Sequence, residues 1–187
     1  MLDSRTNDYA NGLARLIQLE TISTFNQTDK TKFYEFHEVL REMFPNLFKV
    51  CTFEDFDGSF LMRWQGKTTK EPIMLMNHHD VVDATGDWSY NPFGGEIADG
   101  KLWGRGTLDT KGGLWAMMQA AEELVRKGFV PERDIYFCPL VLKNVPVKEQ
   151  IPFLKFLRNV GSVSLWFLMK VDIFLKSRLQ VQKANLP

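Results

Sequence analysis

With 187 residues, 44% hydrophobic and 25% charged, the chain has material for one domain with its own core and the balance of an ordinary globular protein. Its 23 basic and 23 acidic residues cancel, which points away from a nucleic-acid partner. Two cysteines, Cys51 and Cys138, make neither a disulfide framework nor a zinc knuckle and fit a reducing compartment.

The first ten residues, MLDSRTNDYA, lack a basic start followed by an apolar run, so no secretion signal is expected. Residues 8–20 place Tyr9, Leu13, Leu16 and Ile17 at helical spacing, with Gly12 as an internal weakness. A second helix is expected from Asp29, with Phe33, Phe36, Val39, Leu40 and Met43 as its apolar stripe and Pro45-Asn46 as its end. His37 sits there among charged residues and reads as structural or solvated rather than catalytic. Strands are expected over 47–53 and 59–64, joined through Asp55, Asp57 and Gly58, followed by a turn at Gly66-Lys67.

Ile73 to Met76 is a short apolar run after Glu71-Pro72, the pattern of a buried strand. Asn77, His78, His79 and Asp80 stand at its end, where open α/β sheets gather their ligands. A His-x-Asp there can place an imidazole on a metal while the carboxylate orients it. Adjacent strand residues point to opposite faces, so His78 and Asp80 share a side and His79 is the bystander. An aromatic, proline-bearing loop follows from Asp87 to Gly95, then a turn at 97–100 and a short strand at 101–103. Gly104 to Gly113 is a glycine-rich turn with one central acid, Asp109, opening onto a helix over 110–127. Leu114, Met117, Met118, Ala121, Leu124 and Val125 are its expected buried face and Gly128 its C-cap; the methionine pair reads as core. Asp134 to Phe137 is the next expected strand, giving alternating strand and helix.

His78-His79-Asp80-Val81-Val82, Trp88, Asn91-Pro92-Phe93, Gly104-Arg105-Gly106, Asp109 and Lys111-Gly112-Gly113 together resemble the co-catalytic zinc hydrolases of peptidase family M20. That family includes carboxypeptidases, dipeptidases, aminoacylases and deacylating enzymes. The resemblance is densest over Ile73 to Phe137 and extends from about residue 8. It implies an α/β, zinc-exopeptidase-like sheet with helices on both faces, here incomplete. It also implies two zinc ions, with His78 a ligand to one, Asp109 bridging both, and Asp80 the catalytic acid that supports the site from behind His78. The implied substrate is a small peptide or an N-acyl amino acid, whose amide carbonyl a zinc-bound hydroxide attacks. Arg105 and Lys111 are expected to hold the turn rather than to touch substrate.

The rest of the family pattern is missing. Each zinc needs three or four ligands, and a general base must take the proton of the attacking water. In the family a Glu-Glu pair follows the strand that 134–137 resembles; an Asp-Glu-Gly acid and a final His come later. After Cys138 this chain has no paired acids and no further histidine. Composition breaks at the same place: residues 1–138 hold 15 basic and 21 acidic residues and 12 of the 13 glycines, whereas 139–187 hold 8 basic and 2 acidic.

Regrouping codons, so that the last base of each joins the first two of the next, turns Trp166–Phe167 into a forced Val and Met169–Lys170 into a forced Glu. Permitted third bases then allow Val-(Phe/Leu)-Asp-Glu-Gly-Gly-Tyr-Phe across 166–174 and (Thr/Ala)-Glu-Glu-Cys across the segment from Val141. Both strings resemble the missing motifs, in the right order. The expectation is therefore an N-terminal part of an M20-like catalytic domain over 1–138 and a frameshifted tail with no assignable domain over 139–187. The largely apolar run 163–169 is too short to cross a bilayer, so a cytoplasmic, membrane-free protein is expected. The alternative is a non-catalytic fragment with a weak metal-binding or interaction role.

Overall fold

The computed structural model describes residues 4–24 and 27–141, and the backbone of Ser164–Phe167. The remainder of the tail lies outside the described residues, and with it Glu149, Asp172 and most of both frame-shifted strings. Helices α1 (Ser4–Ile17), α2 (Thr31–Met43) and α3 (Pro45–Val50) lead into the hairpin β1 (Cys51–Phe56) and β2 (Ser59–Trp64). Then come β3 (Ile73–His78), the small hairpin β4 (Glu96–Ala98) and β5 (Lys101–Trp103), α4 (Gly112–Arg126), β6 (Ile135–Leu140) and β7 (Ser164–Phe167). The main sheet has the order β1-β2-β6-β3-β7. β6 lies antiparallel to β2 and parallel to β3, pairing Met62 with Phe137 and Leu75 with Phe137 from its two sides.

This is the expected α/β class with a partial sheet. Strand periodicity explains its core: Phe60, Met62, Trp64 and Phe137 meet Leu16, Phe36, Leu40, Phe44, Leu47, Leu114, Trp115, Met118 and Ala121 in one cluster. All four described helices contribute side chains to this cluster. Each fully buried Leu or Phe there contributes about 1.5–3 kcal/mol, which fixes the sheet against the helices and holds the carboxyl end of β3 in place.

Three local expectations are corrected. The second helix does end before Pro45, at Met43, but no strand follows it directly: Pro45 is the first residue of α3, where its missing N–H is no loss. The Glu122 carboxylate of α4 caps that helix, accepting from Asn46 N at 3.3 Å and Leu47 N at 2.7 Å. A tertiary partner thus makes helix of 47–50, and the strand begins at Cys51. On α4, Leu124 is 41% exposed, while Trp115 and Glu122 occupy the buried face instead. The reason lies in α1: a Cβ at Gly12 would stand 2.8 Å from Trp115 Nε1, so the glycine that weakens the helix seats the indole. Finally, β6 runs on through Cys138, Pro139 and Leu140, three residues past the expected strand end at Phe137.

His37 is buried between Phe53 and Phe60, with Nε2 3.0 Å from the Gly58 carbonyl and Nδ1 3.4 Å from Asp55. Burial lowers its pKa, against the pull of Asp55; the residue is structural. Cys51 and Cys138 are both free thiols. No helix among the described residues is long and apolar enough to cross a membrane.

Helices α1 and α4 are tied by Glu123. Its carboxylate accepts from the Tyr9 hydroxyl, from Gln119 Nε2 at 3.1 Å and from Arg5 Nη2 at 2.9 Å. These bonds, Tyr9 foremost, bring its pKa from 4.5 down to about 2. A carboxyl whose folded pKa is depressed contributes stability above its unfolded pKa and loses it as pH falls through the folded one. Stability should therefore drop between pH 4.5 and 2. In Glu123→Gln that part of the acid limb should flatten in urea titrations run across this window. An unchanged pH slope would count against the assignment.

Candidate metal centre

The carboxyl end of β3 places His78, and the chain continues extended to Val81, which forms a parallel bridge with Ile22. His78 and Asp80 share a side, as alternation requires. The His78 Nδ1 lies 3.0 Å from the Asp80 carbonyl and 3.3 Å from its Oδ1. Both neighbours are acceptors, an arrangement that favours a proton on Nδ1 and turns Nε2 toward Asp109. Asp80 is fully buried, and its Oδ2 accepts from Ser23 Oγ at 2.6 Å.

His79 points the other way, into an aromatic pocket where it stacks on Phe36 at 4.9 Å and meets Phe33 at 5.8 Å edge-on. It is fully buried, neither ring nitrogen has a hydrogen-bond partner among the described residues, and desolvation holds its pKa well below the usual histidine value. A neutral imidazole packed as an aromatic is the bystander that strand alternation implies.

Asp109 arrives from the turn Thr107–Lys111. Gly106, at φ 93°, starts it: an added Cβ would stand 2.9 Å from Val81 Cγ1, so only glycine lets the turn press against the end of the sheet. Thr110 sews the turn to β3, its hydroxyl bonding the Asn77 side chain and lying 2.6 Å from the His78 carbonyl. Lys111 is fully buried beneath, donating to the carbonyls of Leu16 at 2.9 Å and Leu19 at 2.5 Å. Burial brings its pKa down to about 7, with Asp80 and Glu20 opposing the shift. It anchors the turn, as expected, and does so through the end of α1. Arg105 donates to the Asp83 carbonyl at 3.2 Å and lies 4.9 Å over the Trp88 ring.

The result is a convergence of two donors. His78 Nε2 and Asp109 Oδ1 are 3.0 Å apart, His78 nearly buried and the Asp109 side chain 67% exposed. With the proton on Nδ1, a lone pair faces a carboxylate, and the pair needs a proton or a cation between them. Two ligands of one four-coordinate zinc, each about 2.0–2.1 Å from it, stand roughly 3.3 Å apart, so the spacing suits a shared cation. Two donors still do not make a zinc site. No group of three or more His, Cys, Asp or Glu able to hold a metal ion occurs among the described residues. The three histidines of the sequence are His37, His78 and His79, and two of them are core residues. The residues present fit one side of a metal centre and leave it incomplete.

Sequence reasoning missed Ser23, Thr110 and Asn77. Asn77 lies beside the ligand pair in sequence, and Thr21-Ile22-Ser23 has the β-branched, hydroxyl-bearing character of an extended segment.

The region matched in known proteins contains His78, Asp80 and Asp109. The model of peptidase family M20/M25/M40 matches residues 74–139. A probable carboxypeptidase S-like 2 of Dictyostelium discoideum is 37% identical over 139 residues, covering 70% of this chain and 27% of that protein. The N-fatty-acyl-amino acid synthase/hydrolase PM20D1.1 of Danio rerio is 35% identical over 128 residues, covering 64% of this chain and 25% of its own. The chain thus spans about a quarter of the length of these curated relatives. Among solved structures, the dipeptidase Dug1p from Saccharomyces cerevisiae superposes with a TM-score of 0.69 at 18% identity, over 88% of this chain and 39% of that one. Motif, fold and relatives converge: the chain belongs to peptidase family M20/M25/M40.

Proposed function

We propose that this chain carries the N-terminal share of a zinc-dependent hydrolase acting on the amide bond of a small peptide or an N-acyl amino acid. The observation that supports this most directly is the meeting of His78 Nε2 and Asp109 Oδ1 at 3.0 Å, with the far ring nitrogen held by Asp80. In this reading His78 and Asp109 are metal ligands and Asp80 sets the tautomer and orientation of His78. Zinc in such a site polarises the carbonyl and supplies a nucleophile at neutral pH. The names of the relatives, a carboxypeptidase and an N-acyl-amino acid hydrolase, favour this substrate class.

The polypeptide as it stands lacks the general base and the later ligands, so we assign it no turnover of its own. A frame change near Phe137–Pro139 accounts for this, dividing the chain into a family part, 1–138, and an unrelated tail, 139–187. The family match ending at residue 139 and the change of charge sign there support that division. We place the protein in the cytoplasm, a reducing compartment that suits its two free thiols. A second reading, a non-catalytic fragment with weak metal-binding or interaction properties, is favoured by the two-donor geometry itself.

Calorimetric zinc titration of the purified 187-residue chain tests both. One weak zinc per chain is expected, absent in His78→Ala and in Asp109→Ala. Tight binding of two zincs, or zinc-dependent amide hydrolysis lost in His78→Ala, would overturn the assignment of an incomplete site.

A further inference from the structure

We infer that Ser23 is a positioning residue of the metal centre, acting on His78 through Asp80. This rests on the reading of His78 and Asp80 given above and extends it to a part of the chain outside the motif.

Asp80 is fully buried. A buried carboxylate must have its oxygens satisfied or it turns, protonates or destabilises the fold. Its two oxygens are divided. Oδ1 faces His78 Nδ1 at 3.3 Å, and Oδ2 takes the Ser23 hydroxyl at 2.6 Å. Ser23 is itself 4% exposed and is fixed by its backbone, its N–H donating to the Val81 carbonyl at 3.1 Å. Val81 N returns a bond to the Thr21 carbonyl at 2.9 Å, and the Thr21 hydroxyl bonds the His79 carbonyl at 2.5 Å. The segment 21–23 thus lies as a strap along 79–81, gripping each successive peptide.

The strap is held from its other end by Lys111, whose ammonium takes the carbonyls of Leu16 and Leu19. Lys111 is two residues after Asp109. The same short stretch of chain, 16–23, therefore touches the supports of both donors: the turn that presents Asp109, and the carboxylate that orients His78. Removing the Ser23 hydroxyl takes a 2.6 Å bond from the Asp80 carboxylate and loosens the Oδ1 that flanks His78 Nδ1, while the Asp80 carbonyl at 3.0 Å stays in place. Partners of this kind typically change metal affinity by about 10–100-fold.

The test uses the full 187-residue chain with cobalt(II) as probe, and nitrogen-15 spectra of the His78 ring in the metal-free protein. In Ser23→Ala the His78 ring-nitrogen signals should move, as the carboxylate beside the ring is displaced, and cobalt affinity should fall about tenfold. Ser23→Thr, which keeps the hydroxyl, should restore both. In an Asp80→Ala background, Ser23→Ala should change neither any further, which separates action through Asp80 from a general loss of packing. Ring shifts and affinity unchanged in Ser23→Ala, or a full additional loss on top of Asp80→Ala, would overturn the inference. If the wild-type chain takes up no cobalt, the metal assignment fails, and the ring shifts alone then decide the role of Ser23.

Discussion

A chain carried past codon 139 in the frame one base over should hydrolyse amide substrates that the 187-residue chain leaves intact. Inserting a single base near codons 137–139 brings in that frame, and with it the Glu-Glu and Asp-Glu-Gly strings that the third bases allow. A positioned general base alone accounts for about 10²–10⁴ in rate. The incomplete ligand set adds to that, because a metal held by two side chains is poorly retained. The expected gap is thus about a hundred-fold at the least, measured on N-acyl amino acids and short peptides with zinc present. Equal activity from both chains would defeat the frame-change account, and so would a stop codon closing the alternative frame soon after residue 139.

The second large effect lies beneath the site. Phe36 is fully buried, stacks on His79 at an interplanar angle of 15°, and lies 5.5 Å from the Lys111 ammonium. Phe36→Ala removes the floor under two desolvated polar groups at once. A buried Phe→Ala change costs about 3–5 kcal/mol, a large share of the 5–15 kcal/mol of a typical domain. Water entering the cavity would also reach the desolvated His79 nitrogens, and its pKa should climb toward the ordinary value. Urea unfolding read by circular dichroism gives the first quantity and proton NMR of His79 the second. A loss under about 1 kcal/mol would mean that the pocket collapses around the gap.

The placement of His78 and Asp80 at a strand end, and of Asp109 in a glycine turn, was legible because its information is local. The apolar run before His78, the parity of 78 and 80, and the glycines around Asp109 each constrain a few neighbouring residues. The same holds for β2, the hairpin turn at Asp57-Gly58 and the helix after Asp109. What escaped depends on distant partners. Pro45-Asn46 looks like an end until Glu122, some 75 positions on, supplies the acceptor for the next helix. Gly12 looks like a flaw until Trp115 comes to lie against it. Ser23 carries no motif, and its meaning appears only when β3 is extended beside it. The insertion of β6 between β2 and β3 was likewise beyond reach, since alternating strands and helices are compatible with several sheet orders.

That insertion has a consequence for synthesis. The strands flanking β6 leave the ribosome first, separated by an opening of roughly twice the 4.8 Å strand spacing. Until residues 135–140 emerge, two rows of N–H and C=O groups face each other unpaired, and such rows recruit other chains. Nascent products halted before residue 135 should be sticky, chaperone-dependent and quickly degraded. Those that have passed residue 141 have closed the seam with a single strand, and the imidazole of His78 then stands on a fixed support.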